Sequence, residues 1–127
     1  MKLLDTTIAV DHLRGDSRAT QLLERLADEG EPLLASELSR VELLAGMRPV
    51  ELEGTELLMG ALTWVPVDEE IARLAGPMAA GYRSAHSGID AIDYLIAATA
   101  FVVGADLLTT NVRHFPMISG LRPPYTT

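Results

Sequence analysis

The sequence predicts an α/β fold, a central parallel sheet of about four or five strands with helices on both faces. Three observations predict it. Short apolar runs alternate with longer segments whose apolar residues recur at helical spacing. Their order is strand, helices, strand, helices, strand, helix, strand, which is how parallel strands are joined by crossovers packed against a sheet. The 127 residues, 48% hydrophobic and 22% charged, are the size and composition of one ordinary globular domain. No repeat, low-complexity run or linker interrupts them, so residues 1–127 read as one domain.

Residues 3–4 form a short buried strand ending at Asp5. Thr7 caps a helix that runs to about Arg14 and stops at Gly15. Ser17 caps a second helix, with Leu22, Leu23, Leu26 and Ala27 on one face and Gly30 at its end. Pro32 precedes a strand over 33–35. Ser36 then caps a helix through Ala45, with Gly46 as its stop, Pro49 beyond, and Leu38, Val41, Leu44 and Ala45 on its buried side. A helix over roughly 51–62 leads into a strand over 63–67. Asp68 caps the next helix, where Ile71, Leu74, Ala75, Met78 and Tyr82 share a face and Pro77 introduces a kink. Residues 84–88 are a polar connection. From 90 to 103 an acidic start gives way to an almost wholly apolar helix, expected to be central and buried. A strand over 105–109 follows, and the tail with Pro116, Pro123 and Pro124 is irregular or holds one edge strand.

The chain has no cysteine, which excludes disulfides, thiolate zinc sites and cysteine nucleophiles and fits a reducing cytoplasm. With three histidines as well, a zinc site has little support. No apolar run approaches the roughly 20 residues of a membrane span, and Asp5 interrupts the opening where a signal peptide needs an unbroken apolar stretch. The expectation is a cytoplasmic protein with no membrane contact. Ten basic against 18 acidic residues leave a formal charge of −8, which opposes binding to a phosphate backbone. Carboxylates that ligate metal would have that charge offset, and a basic partner would suit the remainder. All the basic residues except Lys2 are Arg, the side chain suited to bidentate phosphate contacts.

Asp5 carries the first functional signal. A carboxylate at the C-terminal end of a strand stands where open α/β sheets place their ligands. Asn111 follows a later strand in the same way, and Asp90 and Asp93, three apart, share a face at the start of the buried helix. Glu42 lies mid-helix among Val41, Leu43 and Leu44, a costly setting for an unpaired carboxylate. Such an oxygen-rich set is the chemistry of a hard divalent cation. Each residue also has a structural reading: Asp5 as a cap, Glu42 as a solvated helix former, Asp90 and Asp93 as a capping box, Asn111 as a turn residue. Their convergence on one end of one sheet favours the site.

The segments Asp5-Thr6-Thr7, Ser36-Glu37-Leu38-Ser39-Arg40-Val41-Glu42-Leu43-Leu44-Ala45-Gly46, Asp93-Tyr94-Leu95-Ile96-Ala97-Ala98-Thr99-Ala100 and Thr109-Thr110-Asn111-Val112-Arg113-His114-Phe115 resemble the successive signatures of PIN-domain proteins, in that family's order. The likeness is greatest to VapC toxins of bacterial type II toxin–antitoxin pairs. It implies a PIN-like domain and an endoribonuclease dependent on Mg²⁺ or Mn²⁺. It implies metal ligation by Asp5, Glu42 and Asp93, with Asn111 at the fourth catalytic position. There an amide is a weaker ligand than a carboxylate and no base, which bears on a second ion more than on the first. Thr7 and Thr109 match small hydroxyl positions that steady the site; Asp90 and Arg113 are supporting candidates. An RNA substrate, a VapB-like antitoxin and a homodimer are the implied partners.

Arg14, Arg40, Arg83 and Arg113, near element ends, and His86 and His114, in predicted loops, are further candidates to meet RNA. Two rival readings remain. An Asp after the first strand also opens haloacid-dehalogenase-type phosphatases, but those need a second Asp two residues on, where this chain has Thr7. An inactive PIN-like interaction module is compatible with Asn111 and with the net acidity.

Overall fold

The computed structural model describes residues 1–126. Strands β1 (Lys2–Leu4), β2 (Leu33–Ser36), β3 (Thr63–Val65) and β4 (Asp106–Leu108) form one sheet in the order β3-β2-β1-β4, and every neighbouring pair is parallel. Its helices are α1 (Thr6–Leu13), α2 (Ser17–Asp28), α3 (Glu37–Gly46), α4 (Leu52–Gly60), α5 (Glu69–Tyr82) and α6 (Ala91–Val103). The tail adds no strand among the described residues, so the sheet has four strands. Among the described residues no helix is long and apolar enough to cross a membrane.

Successive strand residues point to opposite faces of a sheet, and the core divides accordingly. Leu3, Leu34 and Leu107 pack with Ile71 and Ala75 of α5 and with Ile96, Ala97 and Ala100 of α6. Leu4 and Ala35 pack on the other face with Ile8 of α1, Leu22 and Leu26 of α2, Leu43 of α3 and Leu58 of α4. Helices therefore cover both faces, as the apolar strand runs predict.

Local signals deviate from expectation by small, explicable steps. Asp5 rather than Thr7 holds the N-cap position of α1, and Asp16 rather than Ser17 caps α2, accepting from the Arg18 amide at 2.9 Å. Aspartate is as good a cap as serine, so adjacent candidates compete. Ser36 and Asp68 cap α3 and α5 as expected, accepting from the Leu38 and Ile71 amides. The segment 51–62 begins instead with a 3-10 turn, Pro49–Glu51, because Pro49 suits a first turn. The buried side of α3 is Ser39 and Leu43, while Val41 and Leu44 are exposed. Gly104, at φ +70°, ends α6 in the left-handed conformation and turns the chain into β4.

The strand order positions the site. β1, β2 and β3 are laid down in one direction, and the chain then crosses back to place β4 on the other side of β1. The segment after β1 enters α1 on one face, and the segment after β4 carries Phe115 and Met117 into the core of the opposite face. Chains diverging from neighbouring parallel strands open a crevice at the strands' C-terminal ends.

Candidate active site

Asp5 follows β1 immediately and lies at that crevice, 9% exposed. Its amide donates to the Leu108 carbonyl at 2.9 Å, which fastens it to the end of β4. The side chain makes no capping hydrogen bond to α1; one oxygen, Oδ2, accepts from the Thr109 hydroxyl at 2.7 Å and from the Thr7 hydroxyl at 3.4 Å. Both hydroxyls accept in turn from backbone, Thr7 from the Thr110 amide at 3.2 Å and Thr109 from the Asn111 amide at 3.0 Å. A hydroxyl that accepts an N–H has its own proton free to donate, so both are polarised toward the carboxylate. The hydroxyl positions expected at Thr7 and Thr109 thus hold Asp5 in one orientation.

Asp93 reaches the same crevice from the first turn of α6. Asp90 and Asp93 form a capping box: the Asp93 amide donates to Asp90 Oδ1 at 3.1 Å, and the Asp90 amide donates to Asp93 Oδ2 at 3.3 Å. The structural reading of this pair is therefore realised, and ligation does not compete with it, because each carboxylate has a second oxygen. Burial raises the pKa of Asp5; the Thr109 hydroxyl opposes the shift, and the charge of Asp93 adds to it. Burial also raises the pKa of Asp93, against the Asp90 amide and with the charge of Asp90 adding.

Glu42 is exposed on α3, which corrects the expectation of a buried, unpaired carboxylate. The Thr6 hydroxyl donates to its Oε1 at 2.8 Å and ties it to the start of α1. Glu42 helps line the crevice, a cavity of about 450 Å³ shared with Asp5, Thr7, Asp90, Asp93 and Asn111. Arg113 is exposed and lies outside that lining, as do Arg14, Arg40, Arg83 and His86. Two further ionisable side chains line it. Asp11 went unnoticed in the sequence, although it is four residues after Thr7 on α1 and so on the same helical face. His114, read from sequence only as a loop residue near RNA, lies in a 3-10 turn, Val112–His114, with Nδ1 3.1 Å from Asp93 Oδ2.

Among the described residues no Lys or Arg pairs with Asp5, Glu42, Asp90 or Asp93, and none lines the cavity. Apart from the His114 imidazole, the polar side chains of the lining are carboxylates, hydroxyls and one carboxamide, the oxygen chemistry that hard divalent cations take. No three Asp, Glu or His side chains among the described residues are grouped to hold an ion by themselves. Mg²⁺ is commonly held by one or two carboxylates, with waters and substrate phosphate completing its octahedron. The residues present fit that ion.

A parallel sheet with carboxylates gathered at its switch point defines a class of α/β domains with an acidic cavity, and comparison narrows it. Residues 2–120 match the PIN domain. The chain belongs to the PIN-domain family and stands among its VapC-type members. It is 62% identical to Ribonuclease VapC19 of Mycobacterium tuberculosis over 125 residues, 98% of this chain and 100% of that protein. It is 42% identical to Ribonuclease VapC10 of the same organism, over 98% of this chain and 93% of that protein. In fold it superimposes on a toxin–antitoxin complex from Klebsiella pneumoniae with a TM-score of 0.83 at 24% identity, covering 100% of both chains.

Proposed function

We propose that this chain is a metal-dependent endoribonuclease that hydrolyses RNA phosphodiesters as the toxin of a VapBC-type toxin–antitoxin pair. The observation that carries the reading is Asp5, a nearly buried carboxylate braced by Thr109 and Thr7 and facing a second carboxylate, with no Lys or Arg paired to either among the described residues. Similarity across almost the whole chain to proteins named ribonucleases supports the reaction. Asp5 and Asp93 hold the ion, and Glu42, anchored by Thr6, positions water at the cavity's edge. When bound, Mg²⁺ or Mn²⁺ supplies Lewis acidity toward phosphate oxygens and acidifies water. Asn111 lines the cavity without capping the turn it precedes, so its carboxamide is available to orient water or phosphate. Thr7 and Thr109 keep Asp5 aimed, and no covalent nucleophile takes part.

The partners follow from the same reading: RNA as substrate, a VapB-like antitoxin as inhibitor, a second copy of this chain in a homodimer, and the cytoplasm as compartment. The inactive-module and phosphatase readings gain no support from the relatives. The test is Asp5→Asn, assayed on RNA with Mg²⁺. Cleavage should be lost while the fold is retained; full activity in this variant refutes the assignment.

A further inference from the structure

We infer that His114 is a positioning residue, a hydrogen-bond donor that clamps one oxygen of Asp93 so that the other is presented to the cavity. The inference rests on the metal-site reading above. A carboxylate oxygen only accepts, so the ring nitrogen facing it, His114 Nδ1, carries the proton and donates. The 3.1 Å contact falls on Oδ2, the oxygen that also takes the Asp90 amide at 3.3 Å. No hydrogen bond among the described residues reaches Oδ1. Two donors from different segments, one at the N-cap of α6 and one after β4, therefore fix the plane of this carboxylate and leave Oδ1 as its free oxygen.

His114 is itself well placed for the task. Its amide closes the 3-10 turn by donating to the Asn111 carbonyl at 3.1 Å. The next residue, Phe115, is 1% exposed and is among the largest fully buried side chains, locking the turn onto the core. The ring is thus held between a buried anchor and the residue it positions, and it spans the two segments that border the crevice. Hydrogen-bond partners that orient ligating side chains commonly change metal affinity by about 10–100-fold when removed.

The test uses the full chain with His114→Ala, His114→Asn and His114→Gln, reading Mn²⁺ binding by calorimetry and RNA cleavage separately. The asparagine amide nitrogen falls near the position of Nδ1, whereas the glutamine amide lies farther out, near Nε2. His114→Ala should weaken Mn²⁺ binding by roughly tenfold or more and lower kcat with little change in KM. His114→Asn should restore much of both, and His114→Gln should not. The inference is overturned if His114→Ala binds Mn²⁺ like the parent, or if all three variants lose only KM, which would make the ring a substrate contact. A common loss in all three accompanied by a lower Tm would make it a structural residue and overturn it as well. Failure of the underlying function reading is distinct, because the parent itself would then show neither Mn²⁺ binding nor cleavage.

Discussion

At the scale of single residues, the burial of Asp5 beside the cavity carries a cost in stability. Its carboxyl titrates above the ordinary 3.8 because it is buried. Between that value and its folded pKa the native chain keeps a proton that the unfolded chain releases, so stability falls as pH rises through this window. Asp5→Asn removes the penalty, since the new amide oxygen still accepts from Thr109. In metal-free buffer the variant should gain on the parent in urea-unfolding midpoint as pH climbs above about 3.8, and with Mg²⁺ supplied its cleavage of RNA should be abolished. A parent that gains on the variant over that range would show the fold favouring the anion. The place of this residue was legible in the sequence, because an acid ending an apolar strand falls at the C-terminal edge of the sheet, where the cavity opens. Glu42 was misjudged for a physical reason. Its apolar neighbours suggested burial, but Val41 and Leu44 are themselves 65% and 45% exposed. Hydrophobicity marks which residues favour burial and not whether this chain covers them.

At the scale of elements, the start of α6 uses one pair of acids to cap the helix and line the cavity, and substitution separates capping from the proposed chemistry. Asn caps a helix as well as Asp does, whereas Ala forfeits about 1 kcal/mol. Asp90→Asn should therefore keep both the urea midpoint and most of the cleavage rate, while Asp90→Ala should lose about 1 kcal/mol of stability. A stable Asp90→Asn variant that no longer cleaves RNA would instead place the Asp90 charge in the chemistry. The entry to α4 is a second case. Glu51 accepts from the Arg48 amide at 2.9 Å and from its guanidinium at 2.7 Å, and these bonds hold its carboxyl down at about 2. A depressed carboxyl adds stability above its unfolded value, here about 4.5, and loses it as pH falls toward about 2. Glu51→Gln should unfold at a lower temperature than the parent at neutral pH, with the gap closing over that acid range; a gap independent of pH would remove the ion pair as its cause. Helix and strand types were legible because periodicity and length separate them. The 3-10 turns were not, since three residues carry no period, and so His114 passed as a loop residue.

At the scale of the molecule, the class of sheet could be read from the sequence but the strand order could not. Nothing in the apolar runs says that β4 returns to the far side of β1, yet that return creates the crevice. The same topology brings carboxylates from the end of β1, from α3 and from the start of α6 to one cavity, in a chain whose formal charge is already −8. Concentrated like charge opposes the compact state, so an ion held between these elements should stabilise the whole fold. A ligand at about a hundredfold excess over its Kd adds about 2.7 kcal/mol, which for a domain of this size is a Tm increase on the order of 10 °C. Mn²⁺ or Mg²⁺ should raise the Tm of the parent by that order and chelation should reverse it, while Asp5→Asn should respond little. Nonspecific screening of surface charge would raise both proteins alike and would also be produced by an equal ionic strength of NaCl. A parent whose Tm ignores divalent ions and whose RNA cleavage persists in excess chelator would defeat the metal-dependent reading for this fold.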